Sequence, residues 1–192
     1  GGLSLDGGGT PVEWLVEMER LPQARMLDGL LEAGAATRDE LRALAARLAS
    51  FYRALPPGGL SGPDYAGRFA DQHAETARVL ADPRFAFDGA RISAVLRDFE
   101  RRLEAARPIL IGRVEAGRVV EGHGDLRPEH VCLSDPPAII DCLEFDRALR
   151  LVDPFDEIAF LGLEAARLGA DWVFPLMRAG LETGLEDRPA PA

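Results

Sequence analysis

Lysine is missing altogether, and all 22 basic residues of the 192-residue chain are arginine. This excludes a Schiff-base lysine, a phosphate-loop lysine and a strand lysine that pairs with ATP phosphates. Cysteine is nearly as scarce. Cys132 and Cys142 both lie in apolar stretches and read as core thiols. Two thiols do not staple a chain of this size, so a reducing, cytoplasmic setting is expected. No apolar run reaches membrane-spanning length, and no charged-then-apolar leader opens the chain, so no membrane partner is expected. An excess of positive charge is also lacking: the formal net charge is −10, which argues against nucleic acid as a partner. An acidic field instead favours cationic or metal-bridged ligands. The chain opens on Gly1-Gly2 without an initiator Met, which predicts a processed protein or a piece of a longer one.

The composition is that of an ordinary globular protein, with 47% hydrophobic and 28% charged residues. Residues 3–5 and 12–18, separated by Gly7-Gly8-Gly9, read as a hairpin. With no lysine after it, the glycine run is a turn rather than a phosphate loop. A helix is expected over 25–33, ending at Gly34. A second opens on a Thr37–Glu40 capping box and carries Leu41, Leu44, Leu48, Phe51, Tyr52 and Leu55 on one face until Pro56-Pro57 stops it. A helix over 64–80 follows a Pro/Gly loop. Asp88 caps the next, with Ile92, Val95, Leu96, Phe99 and Leu103 on its apolar face. Short strands at 131–133 and 138–140 form a hairpin across Ser134-Asp135-Pro136-Pro137. Asp153-Pro154 starts another helix, running to about 168, and 172–180 is one more.

Chemistry concentrates in His123-Gly124-Asp125-Leu126-Arg127-Pro128-Glu129-His130 and in Ile139-Ile140-Asp141. A strand ending in Asp throws its carboxylate out of the core toward the polar loop. Two carboxylates brought together in this way suit a divalent cation and a hydroxyl nucleophile.

These residues resemble the catalytic loop of the aminoglycoside phosphotransferase family, His-Gly-Asp-Leu-His-x-x-Asn, and more distantly that of protein kinases. Ile140-Asp141 is similar to the family's metal-binding segment, and the run from Asp153 to Ala159 to its Asp-Pro-x-x-Asp-Leu-Ala helix start. Residues 16–22 look like the hinge between its two lobes. The resemblance implies an α+β, protein-kinase-like fold. Residues 1–22 would be a remnant N-lobe hairpin and hinge, and 23–184 a mostly helical C-lobe with its catalytic loop at 121–145. Residues 185–192 would be a disordered tail. It further implies transfer of a phosphoryl group from ATP, with Mg2+, to a hydroxyl of a small molecule such as an amino sugar. Asp125 would orient or deprotonate that hydroxyl, and Arg127 would neutralise charge on the phosphoryl group. Asp141 would hold the metal, with His130 and Glu144 as further candidate ligands. Glu17, Met18 and Glu19 would meet the adenine, while His123 and Asp156 would support the loop. The helical insert of 56–107 would shape the acceptor pocket.

Two departures stand out. His130 replaces the family's metal-binding Asn, and imidazole is a poor ligand for magnesium. Only about twenty residues precede the hinge, too few for a glycine loop and strand lysine, so a missing N-lobe or fused domain is the expected partner. Other readings of the same residues are an inactive, kinase-like binding module, and a metal-dependent hydrolase using His123, Asp125, His130 and Asp141. Asp153 reads as a helix cap and His73 as a surface residue.

Overall fold

The computed structural model describes residues 4, 10–15 and 17–189. The chain is a mixed α+β protein, mostly helical, with two small antiparallel strand pairs. Its helices are α1 (Leu27–Glu32), α2 (Arg38–Ala54), α3 (Gly62–Leu80), α4 (Gly89–Glu115), α5 (Arg147–Arg150), α6 (Pro154–Arg167) and α7 (Val173–Gly184). Its strands are β1 (Val120–Glu121), β2 (Val131–Cys132), β3 (Ala138–Ile139) and β4 (Leu151–Val152).

The helix boundaries follow local chemistry. Thr37 accepts from the Glu40 amide while Glu40 accepts from the Thr37 amide, so both ends of the box are satisfied at the start of α2. Ser61, Asp88 and Asp153 cap α3, α4 and α6 through their side chains. Ser61 thus starts α3 two residues earlier than the 64–80 helix expected from the sequence. Gly34, with φ +62°, lets the chain leave α1.

Leu41, Leu44 and Leu48 of α2 and Val173, Met177 and Leu181 of α7 join Ile158 and Leu161 of α6 in one core. The site rests on the same core, because Leu126 and Val131 belong to it. A smaller cluster of Tyr65, Val119 and Leu151 ties the base of α3 to the strands. β1 pairs with β4 in the register Val120↔Val152, and β2 with β3 in the register Val131↔Ile139. The expected hairpin across 134–137 is therefore present.

Several expectations need correction. Residues 12–15, 17 and 18 form no strand, and Val12, Trp14 and Leu15 are exposed. A strand there would need a partner for its amides and carbonyls. Of the partner expected at residues 3–5, Ser4 is described and is in no strand, while residues 3 and 5 and Gly7-Gly8-Gly9 lie outside the described residues. Regular packing begins at a 3-10 turn, Gln23–Arg25, whose Arg25 carbonyl accepts from the Leu133 amide at 2.8 Å. Phe51 and Val95 face water rather than the core, and Phe99 is half-exposed at the edge of α3, where its ring lies 5.1 Å from that of His73. Cys132 is buried as expected, but Cys142 is exposed. Within the expected tail, Asp187 is held in a part-buried ion pair with Arg113 at 2.7 Å. Residues 190–192 lie outside the described residues. Among the described residues no helix is long and apolar enough to cross a membrane.

Candidate active site

The loop from Gly122 to His130 is shaped by close contacts that leave little freedom. At Gly122 a side chain would fall 2.7 Å from Glu157 Oε2, so a buried carboxylate occupies the space that any larger residue would need. Gly124 sits at φ +85° with the Leu149 carbonyl behind it, a conformation that glycine adopts without strain.

Glu157 is the brace of this loop. It is 4% exposed; its Oε1 accepts from the Gly124 amide and its Oε2 from the Tyr52 hydroxyl, both at 2.5 Å. Burial beside this carboxylate pushes the Tyr52 hydroxyl well above its ordinary pKa, so Tyr52 stays a donor. The sequence reading gave loop support to Asp156, one residue away, and the structure corrects this. The missed signal was spacing: in Asp-Pro-x-x-Asp the second acid falls four residues after the first, which from Asp153 is Glu157. Asp153 caps α6 and pairs with Arg113 at 2.5 Å.

His123 is held within the loop on both sides of its ring. It is 7% exposed; its Nδ1 accepts from the Asp125 amide at 3.3 Å, and its Nε2 donates to the Ile140 carbonyl at 2.7 Å. With both ring nitrogens engaged it has no lone pair left for a metal.

His130 lies between the two candidate carboxylates. Its Nδ1 donates to the Asp125 carbonyl at 2.8 Å and stands 3.9 Å from Asp125 Oδ2, while its Nε2 is 3.5 Å from Asp141 Oδ2. Asp125 and Asp141 are therefore brought to opposite edges of one imidazole, which stacks at 5.7 Å on the His123 ring. The strand pair makes this possible. The Ile140 amide donates to the His130 carbonyl at 3.0 Å, and a φ of +62° then turns the chain at Asp141. The Asp141 side chain is 77% exposed and that of Asp125 30%, so one carboxylate stands in water beside another that is partly sheltered.

The remaining candidates sit differently. Arg127 forms an ion pair with Glu129 at 2.7 Å and lies 4.0 Å from Glu164 of α6, both through Nη2, while its buried Nε has no hydrogen-bond partner among the described residues. Glu144 is exposed, as are Glu17, Met18 and Glu19. Among the described residues, no three His, Cys, Asp or Glu side chains gather at ligand distance. A preformed cage of protein ligands is therefore not what these residues build. They do fit magnesium in its usual enzyme setting, where one or two carboxylates share the ion with substrate phosphates. Asp141, exposed and turned out beside the loop, has the right chemistry for that.

A cleft of ≈ 250 Å³ opens next to the loop, lined by Tyr65, Arg68 and Gln72 of α3, by Gly124, and by Asp156 of α6 among others. The Asp156 carboxyl is pushed up to about 6 by the protein crowded around it and then by the Asp153 and Glu157 charges, with Arg68 opposing. One side of Asp156 nevertheless reaches water. The sequence held no signal for this cleft, because its walls come from α3 and α6, far apart in the chain.

Three mycobacterial proteins are similar to this chain. They are uncharacterized protein Rv2004c and uncharacterized protein MT2060, from two strains of Mycobacterium tuberculosis, and uncharacterized protein Mb2027c from Mycobacterium bovis. Each is 32% identical over 170 residues, covering 85% of this chain and 34% of the relative. The chain thus spans about a third of the length of the curated relatives it matches. No family model and no solved structure matches it.

Proposed function

We propose that this chain carries the acceptor-activating half of an ATP-dependent phosphotransferase acting on a hydroxyl of a small molecule. The observation that supports it most is His130 held between Asp125 and Asp141, on a loop braced from beneath by Glu157. In this reading the acceptor oxygen attacks the γ-phosphorus of ATP and its proton passes to Asp125. The bond from that phosphorus to the bridging oxygen breaks, and ADP leaves. Asp141 would hold magnesium, which would supply charge neutralisation at the phosphates. His123 keeps the Asp125 backbone in place, and His130 keeps the two carboxylates apart and oriented. Arg127 steadies the loop through Glu129, and would have to leave that carboxylate to meet a phosphate. The adenine contact belongs to the exposed backbone of residues 17–19.

No lysine is present to hold the phosphates. Loss of one preorganised donor typically lowers a rate by about a hundred- to a thousand-fold, so turnover by the 192-residue chain is expected to be slow. The test is ADP formation with magnesium, against a panel of amino sugars, sugars and hydroxylated metabolites. Asp125→Asn is expected to lower any turnover by about a hundredfold or more. Turnover that survives Asp125→Asn would refute the assignment.

A second reading is a binding module without turnover. It is favoured by the engagement of Arg127 with Glu129 and of His130 with the Asp125 carbonyl. Saturable binding of ATP without ADP formation on any acceptor would select it.

A further inference from the structure

The cleft beside Gly124 holds two opposite charges that do not meet. Arg68 donates to the Leu151 carbonyl at 2.9 Å and stacks near the Tyr65 ring, but pairs with no carboxylate among the described residues. Across the cleft the Asp156 carboxylate accepts no hydrogen bond among those residues, although Arg68 is near enough to feel its charge. Asp156 reaches water and Arg68 is half-buried, so each keeps hydrogen-bonding capacity that a ligand in the cleft can use.

We propose that this cleft binds the acceptor, and that the acceptor is a small hydroxylated zwitterion of the hydroxy amino acid type. Its ammonium group meets Asp156, its carboxylate meets Arg68, and its hydroxyl points past Gly124 toward Asp125. Three features converge on this class. The two charges demand complementary charges on one molecule. The volume of ≈ 250 Å³ lies below the roughly 300–1,000 Å³ of sites for drug-sized ligands, which suits a small acceptor better than a multi-ring amino sugar. Gly124, which lines the cleft, precedes Asp125 directly. The assignment rests on the phosphotransferase reading for its third contact, whereas the two charge contacts stand without it.

Protonation supplies a handle. The groups facing Asp156 are Asp153 and Glu157 on α6 and Arg68 and Tyr65 on α3. Their balance, with burial, sets its carboxyl at about 6. A carboxyl raised in this way is charged above that pH and neutral below it, so ammonium binding is present at pH 7.5 and fades as the pH falls through 6.

The experiment is calorimetric titration of the 192-residue chain with L-serine and its one- and two-carbon-longer homologues. Ethanolamine lacks the carboxylate and 3-hydroxypropanoate lacks the ammonium group, so both serve as truncated probes. At least one zwitterion is expected to bind about tenfold or more tighter than either truncated probe. That advantage should shrink about tenfold at pH 5. Asp156→Asn, which keeps the shape, should erase the preference over 3-hydroxypropanoate. Arg68→Met should erase the preference over ethanolamine, with circular dichroism checking that the fold survives. Equal binding of all probes, or a loss confined to ATP in Arg68→Met, would overturn the assignment. Zwitterion binding without Asp125-dependent ADP formation would leave the cleft assigned and sink the transfer reaction. ADP formation on neutral polyols, unaffected by Arg68→Met, would do the reverse.

Discussion

The bundle of α2, α6 and α7 and the hairpin of α3 and α4 are built from similar amphipathic sequence and end in opposite states. α2 buries six of its residues, among them Leu41, Leu44 and Leu48, and α6 another six. α4, the longest helix at 27 residues, buries none. Periodicity gives the direction of an apolar face, but burial requires a second face to cover it. The loop with Asp125 is anchored on the first region, while one wall of the cleft belongs to the second. Precision is thus expected from the bundle and adaptability from the hairpin.

The largest effect should come from cutting the link between bundle and loop. Glu157→Ala removes the acceptor for the Gly124 amide and the Tyr52 hydroxyl, both in a buried setting. Each orphaned group costs about 1–3 kcal/mol, so a loss of about 3 kcal/mol or more is expected in urea unfolding. Any Asp125-dependent activity should disappear with it. A loss below about 1 kcal/mol would mean that the brace is not where the loop gets its rigidity.

A pair of identical substitutions sharpens the contrast further. In the bundle, a side chain at Gly180 would fall 2.6 Å from Ala45 Cβ, so α2 and α7 approach through that gap. In the hairpin, Gly67 of α3 has nothing within 4 Å of the same position. Gly180→Ala is expected to destabilise by about 1–2 kcal/mol, since overpacking outweighs the gain in helix propensity. Gly67→Ala should stabilise by about 0.5–1 kcal/mol, because only that propensity changes. Thermal melts of the two variants should therefore shift in opposite directions. Shifts of the same sign would erase the distinction between the regions.

Much of this was legible in the sequence where the cause is local. The Thr37–Glu40 box, the Asp88 and Asp153 caps and the β2–β3 pair follow from neighbouring residues, and the structure has them all. The strand pair that carries Asp141 back to the His130 loop was legible for the same reason, but the imidazole standing between Asp125 and Asp141 was not. What failed depends on distant partners. The exposure of Val95 depends on what packs against α4, and the Arg68–Asp156 cleft on α3 and α6 lining one space. Arg127 was a local surprise of another kind. The carboxylate two residues on, Glu129, engages the guanidinium at 2.7 Å, and the pattern of the loop hid that competition.

The smallest effect is the one that tests the hairpin by itself. Val95 lies on the apolar face of α4 and is 60% exposed. If nothing in this chain covers that face, Val95→Ser removes little buried apolar area. Valine and serine also have similar helix propensities, so the two terms leave a change within about 0.5 kcal/mol. The urea midpoint should hold, and so should the urea slope, because the surface exposed on unfolding hardly changes. The α2 position Leu44, which is fully buried at 0% exposure, provides the contrast. There Leu44→Ala removes a core side chain and should cost about 2–5 kcal/mol. A Val95→Ser loss approaching that of Leu44→Ala would mean that α4 is covered in solution, and that the two regions differ less than their packing in one chain implies.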